Sequence, residues 1–251
     1  MKKALLTISL LATLATAHCQ WSEYGVKVGI GGATIQDDLS TKSSVMAVNV
    51  GAYANFTFAK SESILAEIFY LQTGLNLIRR GNNFQEVFET ANTMTLREGY
   101  NHAWYVQLPV LANVHYELPL REAGHNVGFF LGPAISVGVF GQYGDRRITP
   151  GVQSLTANYD LSIHGTDDDR AVFNHLNRID VSALVGFYYE HKDFLFSFHI
   201  DHGFTATSSG EDMLRLMENN QSGSNDINVQ IPNGNNSAFI FSVSYRLGYF
   251  R

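Results

Sequence analysis

Residues 237–250 read Ser-Ala-Phe-Ile-Phe-Ser-Val-Ser-Tyr-Arg-Leu-Gly-Tyr-Phe. One alternating face of this stretch is entirely apolar and consists of Phe239, Phe241, Val243, Tyr245, Leu247 and Tyr249. The other face is mostly small or polar. A period of two with one apolar face predicts a β-strand rather than a helix. A C-terminal strand that ends in aromatic residues is typical of the closing strand of an outer-membrane β-barrel, whose apolar face meets lipid while the other face lines the lumen.

The N-terminus has the order of features found in a secretory signal peptide. Two lysines precede an apolar run over residues 4–14, and an Ala-Thr-Ala motif that ends at Ala17 follows it. The apolar run is too short to cross a bilayer as a helix, and a buried N-terminal helix would not require this order of charged and small residues. We therefore expect a signal peptide over residues 1–19, with cleavage after Ala17 or after Cys19.

The cysteine content excludes a disulfide-stabilised fold, and the net charge argues against a nucleic-acid-binding protein. Cys19 is the only cysteine, so no intramolecular disulfide can form; the bulky His18 before it disfavours lipidation. The chain has 17 Lys and Arg against 23 Asp and Glu, and without Lys2 and Lys3 of the signal peptide 15 remain against 23, a net charge of −8. An acidic chain without a basic cluster argues against nucleic acid as a partner.

Hydropathy narrows the fold class further. Beyond residue 17 no apolar run approaches the roughly 20 residues of a membrane-spanning helix. Hydrophobic residues nevertheless make up 45% of the chain, with 17 Phe and 12 Tyr. This combination excludes a helical membrane protein and leaves a secreted β-domain or a membrane barrel.

Eight segments share the alternation of the C-terminal stretch. They cover residues 24–34, 46–58, 64–78, 104–116, 127–140, 179–189, 194–204 and 237–250. We therefore predict an all-β fold, an eight-stranded antiparallel up-and-down transmembrane β-barrel over residues 20–251. Glu67 and Gln72 disturb the third segment, which predicts a bulge near residues 70–72. Pro109 cannot donate to a ladder and predicts a bulge in the fourth segment.

The connections fall into two groups. Short turns cover residues 59–63, 118–126 and 190–193, whereas a link at 37–44 and long polar loops at 79–100, 141–177 and 206–236 fall on the other side. Bacterial transmembrane barrels have short periplasmic turns and longer extracellular loops. Lipid-face aromatics predict an interfacial girdle on each side: Tyr24, Phe58, Tyr116, Tyr189, Phe194 and Tyr249 near the short turns, and Trp104, Phe204 and Phe239 near the long loops.

A soluble lipocalin-like barrel is the main structural alternative. It would place its large apolar face inward. Here Gly, Ser, Asn, Asp, Lys and Arg occupy the face opposite the aromatic residues. This distribution favours the membrane barrel.

Five segments, taken in order, resemble a known family. They are Tyr-Gly-Val-Lys-Val-Gly-Ile-Gly-Gly at 24–32, Leu-Ala-Glu-Ile-Phe-Tyr-Leu-Gln-Thr-Gly at 65–74, Val-Gln-Leu-Pro-Val-Leu at 106–111, Phe-Leu-Gly-Pro-Ala-Ile-Ser-Val-Gly at 130–138 and Ile-Asp-Val-Ser-Ala-Leu-Val-Gly-Phe-Tyr-Tyr-Glu at 179–190. Over nearly the whole mature chain this resembles the PorT-like outer-membrane β-barrel family of Gram-negative bacteria. The resemblance implies an eight-stranded barrel without a catalytic motif. PorT itself belongs to the type IX protein secretion and gliding apparatus, but most relatives share only the barrel, and a fold does not fix a function.

The strongest candidate for a catalytic site is a set of Ser, His and Asp residues. If the hairpin of residues 179–204 turns at His191-Lys192, Ser182 lies opposite Asp201 and Leu184 opposite His199. Asp180 and Ser197 would share the same lumenal patch, and such a set could act as a lipid or acyl-chain hydrolase. The interior of an eight-stranded barrel is, however, filled by side chains. We therefore predict no catalytic residue, no cofactor and no metal site.

The same residues fit a structural lumenal polar network better. It comprises Lys27, Asp180, Ser182, His199, Asp201 and Arg246. Lys27 and Arg246, near the seam, are the expected ion partners of Asp180, Asp201 or Glu67. The acidic run at 167–169 could hold calcium, but it lacks the alternating ligands of an EF-hand loop and fits a solvated loop better.

Three functions remain. The first is a non-enzymatic component of, or accessory to, a protein secretion or surface assembly, as the PorT-like resemblance implies, with outer-membrane lipid and other secretion or surface proteins as partners. The second is a stand-alone surface binder or adhesin that uses the long loops. The third is the barrel-embedded hydrolase. A general porin is disfavoured, because eight strands leave no open channel.

Overall fold

Nearly all of the described chain is β-strand. The computed structural model describes residues 19–36, 41–58, 68–90, 93–119, 124–148, 155–161, 179–206 and 235–250. Its strands are β1 (Cys19–Gln36), β2 (Thr41–Phe58), β3 (Phe69–Thr90), β4 (Thr93–Glu117), β5 (His125–Ile148), β6 (Leu155–Leu161), β7 (Ile179–His191), β8 (Phe194–Ala206) and β9 (Asn235–Phe250). Within these ranges no helix has the length and hydropathy needed to cross a membrane.

Eight of the strands close into a ring. Each strand pairs antiparallel with its neighbour in the order β1-β2-β3-β4-β5-β7-β8-β9, and β9 returns to pair with β1 from Ser22↔Phe250 to Gln36↔Asn235. The predicted eight-stranded antiparallel barrel is thus confirmed. The remaining strand, β6, lies outside the ring and pairs only with β5 among the described residues.

The two faces of the ring separate apolar from small and polar residues, as the sequence predicts. On β9, Phe239, Phe241, Tyr245, Leu247 and Tyr249 are exposed, while Ala238, Ile240, Ser242 and Ser244 are buried in the lumen. The outward residues of the other strands form a matching band that includes Val28, Val50, Leu75, Leu108, Leu131, Phe187 and Ile200. This band is the lipid-facing surface that a membrane barrel requires.

One end of the barrel, which we call the turn end, carries the short connections. The β7–β8 hairpin turns through Lys192-Asp193, and Lys192 has a φ of 57°. The β4–β5 connection is closed by a hydrogen bond from the Leu118 amide to the His125 carbonyl, 2.8 Å long. Tyr116, Tyr189 and Phe194 are exposed beside these turns, at the predicted girdle positions.

At the opposite end β3, β4 and β5 continue furthest, while β2 pairs with β3 as far as Thr41↔Gln85. Residues 80–90 of β3 pair with residues 93–103 of β4, residues 141–148 of β5 pair with β4, and β6 pairs with β5 along Gly141–Arg147. We call this sheet the wall and this end of the barrel the wall end. Eleven consecutive β3–β4 pairs extend it by roughly 35 Å along the strands.

The wall occupies sequence that we predicted to be loop. Residues 79–90 and 93–100 are strand, and so are 141–148 and 155–161 within the range 141–177. Polar strands above a membrane need no apolar face, so their alternation is not visible in the sequence. Four stretches that carry predictions lie outside the described residues. They are residues 1–18 of the signal peptide, Glu67, the acidic run at 167–169 and residues 207–234.

Both predicted bulges are wrong. The β2–β3 register is continuous from Thr57↔Tyr70 to Val48↔Arg79. The β4–β5 register is likewise the same on both sides of Pro109, which faces Ala134. The observed β4–β5 bulge lies at Trp104/Tyr105, where the ring becomes the wall, and a bulge at such a point increases the local twist and bends the strand.

The lipid-facing band makes a depth-dependent prediction. Val243 lies midway along the outward face of β9, and Leu247 lies on the same face near the turn end. We expect Val243→Arg to lower the free energy of unfolding by about 2–4 kcal/mol and Leu247→Arg by about 0–1 kcal/mol, because a charge costs most at the bilayer midplane. Urea unfolding in lipid vesicles measures both, and equal costs at the two positions would contradict the membrane placement.

Candidate functional site

The lumen is filled with side chains. Nearer the turn end lies an apolar cluster of Tyr70, Leu111, Phe130, Ala134, Leu184 and Tyr188. Nearer the wall end lies a second cluster of Ala33, Val45, Ala47, Ile78, Tyr105, Ala238 and Ile240. Packing of this kind is expected inside an eight-stranded barrel, whose bore is just wide enough to be filled by side chains. The interior is therefore a core and not a pore.

A buried ion cluster crosses the lumen near the wall end. Arg80 donates through Nη1 to Asp180 Oδ2 at 2.7 Å and through Nη2 to Asp201 Oδ2. Gln107 Nε2 donates to the same Asp201 oxygen at 2.7 Å, and the guanidinium lies over the Tyr105 ring at 5.6 Å. We call Arg80, Asp180, Asp201 and Gln107 the ionic core.

The ionic core ties together strands that are distant in sequence. Arg80 belongs to β3, Gln107 to β4, Asp180 to β7 and Asp201 to β8, and all four residues are at most 2% exposed. Asn76 Nδ2 extends the chain of contacts by donating to Gln107 Oε1 at 3.3 Å. Buried charges persist only when they are paired, and the Arg80 guanidinium is the shared ion-pair partner of both carboxylates.

Sequence reasoning missed Arg80 because it assigned residues 79–100 to a loop. The structure places Asp180, Ser182, His199 and Asp201 in the lumen and buries all four. Their cation, however, comes from the strand that continues beyond Ile78. Two signals in the sequence could have identified Arg80. Two inward aspartates had no assigned partner, and the alternation of the third segment continues unbroken through Asn76, Ile78 and Arg80.

The predicted pairing of the β7–β8 hairpin is wrong by two residues. Ser182 lies opposite Gly203, and Asp201 lies opposite Leu184, because the turn is at Lys192-Asp193 and not at His191-Lys192. Ser182 Oγ and both ring nitrogens of His199 are buried without a hydrogen-bond partner within the described chain. The nucleophile–base contact that a hydrolase needs is absent from this part of the structure.

Arg246 organises a second ionic network at the turn end. It donates to Glu23 Oε1 at 2.9 Å and to Glu190 Oε1 at 2.8 Å, and its Nε lies 3.4 Å from Asp193 Oδ1. Asn55 and Asn126 bond the free oxygens of these two glutamates. The expected pairing of Arg246 with Asp180 or Asp201 is therefore wrong, since Arg246 lies at the other end of the lumen.

Lys27 forms no salt bridge with Asp180 or Asp201, two of its predicted partners, and the third, Glu67, lies outside the described residues. Lys27 faces the lumen from β1, but it forms no salt bridge with any carboxylate of the described residues. It lines a cavity of about 20 Å³ together with His199, Ser197, Ser244 and Tyr188, and that volume holds about one water molecule. The described residues contain no group of three or more His, Cys, Asp or Glu side chains placed to bind a metal.

Comparisons with known proteins agree with this architecture. A family model described as outer membrane protein beta-barrel domain matches residues 19–209. No curated protein sequence matches the chain.

Among solved structures, Ail, the attachment invasion locus protein of Yersinia pestis crystallised with the heparin analogue sucrose octasulfate, is similar at 9% identity and a TM-score of 0.36, over 90% of this chain and 99% of Ail. Neisserial surface protein A is similar at 9% identity and a TM-score of 0.34, over 90% of this chain and 97% of its own. These likenesses are too distant to carry an argument about function.

The ionic core makes a prediction about stability. Replacing Arg80 with methionine leaves Asp180 and Asp201 buried without their cation, and we expect the free energy of unfolding to fall by about 3–5 kcal/mol. The triple variant Arg80→Met, Asp180→Asn, Asp201→Asn removes the uncompensated charges and should recover most of that loss. Urea unfolding followed by the heat-dependent gel shift measures each step. Arg79→Met, on the outward face, is the matched control and should cost under about 1 kcal/mol.

Proposed function

The chain belongs to the outer membrane protein beta-barrel domain family, and from its geometry we propose that this barrel of the bacterial outer membrane is a non-enzymatic docking component of a surface protein assembly. The observation that supports this proposal is the wall. The turn end, with its short connections, faces the periplasm, as in other bacterial barrels. The wall then stands on the cell surface. Export would use the signal peptide predicted over residues 1–19.

The packed lumen argues against a role in transport. Two apolar clusters and the ionic core occupy the bore. Opening a path would require exposing Arg80, Asp180 and Asp201 together, since these three side chains form one buried contact. The part of the molecule that is free to act on a partner is therefore its outside.

The wall has the properties of a protein-binding surface. It is built from β3, β4, β5 and β6, with residues 41–44 of β2 paired to the first part of β3. On the other side, β6 has no partner on its far edge within the described residues. An edge strand offers unpaired backbone donors and acceptors to an extended segment of another protein. Side chains on its outward face include Asn83, Gln85, Val87 and Arg146, which are exposed.

The PorT-like resemblance supports one kind of partner. If the resemblance extends to function, the partner is a protein of a type IX-like secretion or surface assembly. The alternative is a stand-alone binder that recognises an external ligand with the same wall and with residues 206–236. The identity of a bound partner distinguishes the two.

A wall-trimmed variant tests the proposed function. Replacing residues 83–100 by Asn-Gly joins Asn82 to Asn101, which are a facing pair, through a two-residue hairpin turn. We expect the barrel to keep its heat-dependent gel shift, because the β2–β3 ladder loses only its last three pairs, those of residues 41–43 with residues 83–85. The wild-type protein, purified from gently solubilised outer membranes, should carry a stoichiometric protein partner that the trimmed variant loses.

A second variant controls for loss of surface in general. It shortens residues 207–234 and leaves the wall intact, and we expect it to retain the partner. Equal partner yield from the wild type and the wall-trimmed variant would contradict docking on the wall. Loss of partner only on shortening 207–234 would assign binding to that connection.

The non-enzymatic role has its own test. His199 is 2% exposed and has no hydrogen-bond partner in the described chain, so it is not poised as a base. We expect wild-type protein and His199→Ala to release fatty acid from phospholipid and from lipid A at the same background rate. A rate in the wild type above that of the variant, with both folded, would instead support the hydrolase.

A further inference from the structure

Two consecutive arginines of β3 point to opposite sides of the barrel wall. Arg80 enters the lumen and joins the ionic core. Arg79 lies on the outward, lipid-side face, between Val48 of β2 and Trp104 of β4. A cation on that face needs its own explanation, because charge on the lipid side of a barrel is costly except near the interface.

Arg79 lies at the level of the membrane boundary. Its neighbour Trp104 stacks on Phe140 of β5 with ring centroids 5.7 Å apart, and aromatic pairs of this kind mark the interface. Below them Val106, Leu108 and Val110 are exposed. From Trp104 to Tyr116 the strand spans about 40 Å, or about 30 Å after a tilt of about 40°, which is close to the height of a barrel's apolar band.

The guanidinium of Arg79 has a neutral partner. Arg79 Nη2 lies 2.8 Å from His102 Nδ1, and because a guanidinium only donates, the ring nitrogen must accept and the imidazole is uncharged. Burial, and then the nearby guanidinium, lower the pKa of His102 below its ordinary value. Tyr100 stacks on the same imidazole, with ring centroids 5.0 Å apart.

Three other arginines whose side chains the structure describes are neutralised by carboxylates, and Arg79 is not. Arg80 pairs with two aspartates, Arg146 pairs with Glu98 at 3.2 Å, and Arg246 pairs with Glu23, Glu190 and Asp193. Among the side chains that the structure describes, no carboxylate lies within salt-bridge distance of Arg79. Its positive charge is therefore available to an anion from outside.

The surroundings fit an amphipathic anion. Leu75 and Leu77 are exposed on the membrane side of Arg79 along the same face of β3. On the other side comes Gly81, which has no side chain, and then Asn83 and Gln85, which are exposed amides. Apolar side chains, a cation and exposed amides thus follow one another along a single strand.

We propose that Arg79, supported by His102 and flanked by Trp104, binds a phosphate group of a phosphorylated glycolipid in the outer leaflet. Its acyl chains pack on Leu75, Leu77 and Val106, and its sugar contacts Asn83 and Gln85. The guanidinium supplies the paired donors that phosphate accepts, and His102 fixes its direction. The proposal rests on the orientation given under the proposed function, in which the wall end faces outward.

The test uses purified barrel in zwitterionic detergent, with no partner protein present, so its outcome is independent of docking on the wall. Trp21→Phe leaves Trp104 as the single tryptophan, beside Arg79. Its fluorescence is titrated with lipid A, an acylated glucosamine disaccharide that carries two phosphates. We expect Arg79→Gln to weaken binding at least about tenfold, since a charge-assisted hydrogen bond is lost.

Two matched variants separate charge from fold. Arg79→Lys keeps the cation but loses the paired donors, so it should bind more tightly than Arg79→Gln and less tightly than the wild type. Arg146→Gln, which changes an arginine on the same face that is already paired with Glu98, should bind as the wild type does. The heat-dependent gel shift reports that each variant is folded. Lipid A treated with phosphatase should bind the wild-type barrel as weakly as intact lipid A binds Arg79→Gln.

The remaining outcomes overturn the proposal. If Arg79→Gln binds lipid A as tightly as the wild type does, Arg79 does not contact a phosphate. The same follows if the wild type binds dephosphorylated and intact lipid A equally tightly. Displacement of lipid A by millimolar inorganic phosphate assigns the site to free anion. Binding of phosphatidylglycerol as tightly as lipid A assigns it to phospholipid.

Discussion

The pairing of β1 with β9 is the contact on which the rest of the molecule depends. Inside a bilayer a backbone donor or acceptor without a partner costs several kcal/mol, so a spanning sheet must have no edge. Closing the ring with eight strands fixes its bore, and that bore admits side chains but no channel. The lumen must then be packed, and activity is left to the surfaces outside it.

Inside that bore, charge is arranged so that each end has its own arginine. Arg80 holds two aspartates together near the wall end, and Arg246 holds two glutamates and an aspartate near the turn end. Between them lies the aromatic cluster around Tyr70 and Tyr188. The two networks join strands that are remote in sequence, so they specify which strands share a lumen as well as stabilising it.

The faces of the strands could be predicted from the sequence, but the pairing and the wall could not. Alternation determines which side a residue occupies, and moving the turn from His191-Lys192 to Lys192-Asp193 shifts each pair by two residues, which leaves every face unchanged. That is why Asp180 and Asp201 were placed in the lumen although their neighbours were wrong. Beyond the membrane no lipid demands an apolar face, so residues 80–103 resembled a loop and Arg80 went unnoticed.

The way β5 changes partners has a mechanical consequence. Residues 125–137 of β5 pair with β7, and residues 141–147 pair with β6. Along both parts the other edge of β5 pairs with β4. No linker separates wall from ring, and the bulge at Trp104/Tyr105 is the bend between them in the β4–β5 ladder. A load applied to the wall passes as shear along the β4–β5 ladder into the barrel. A protein bound to the wall is therefore held at a fixed distance from the membrane and in a fixed orientation relative to the barrel. It diffuses and rotates only together with the barrel.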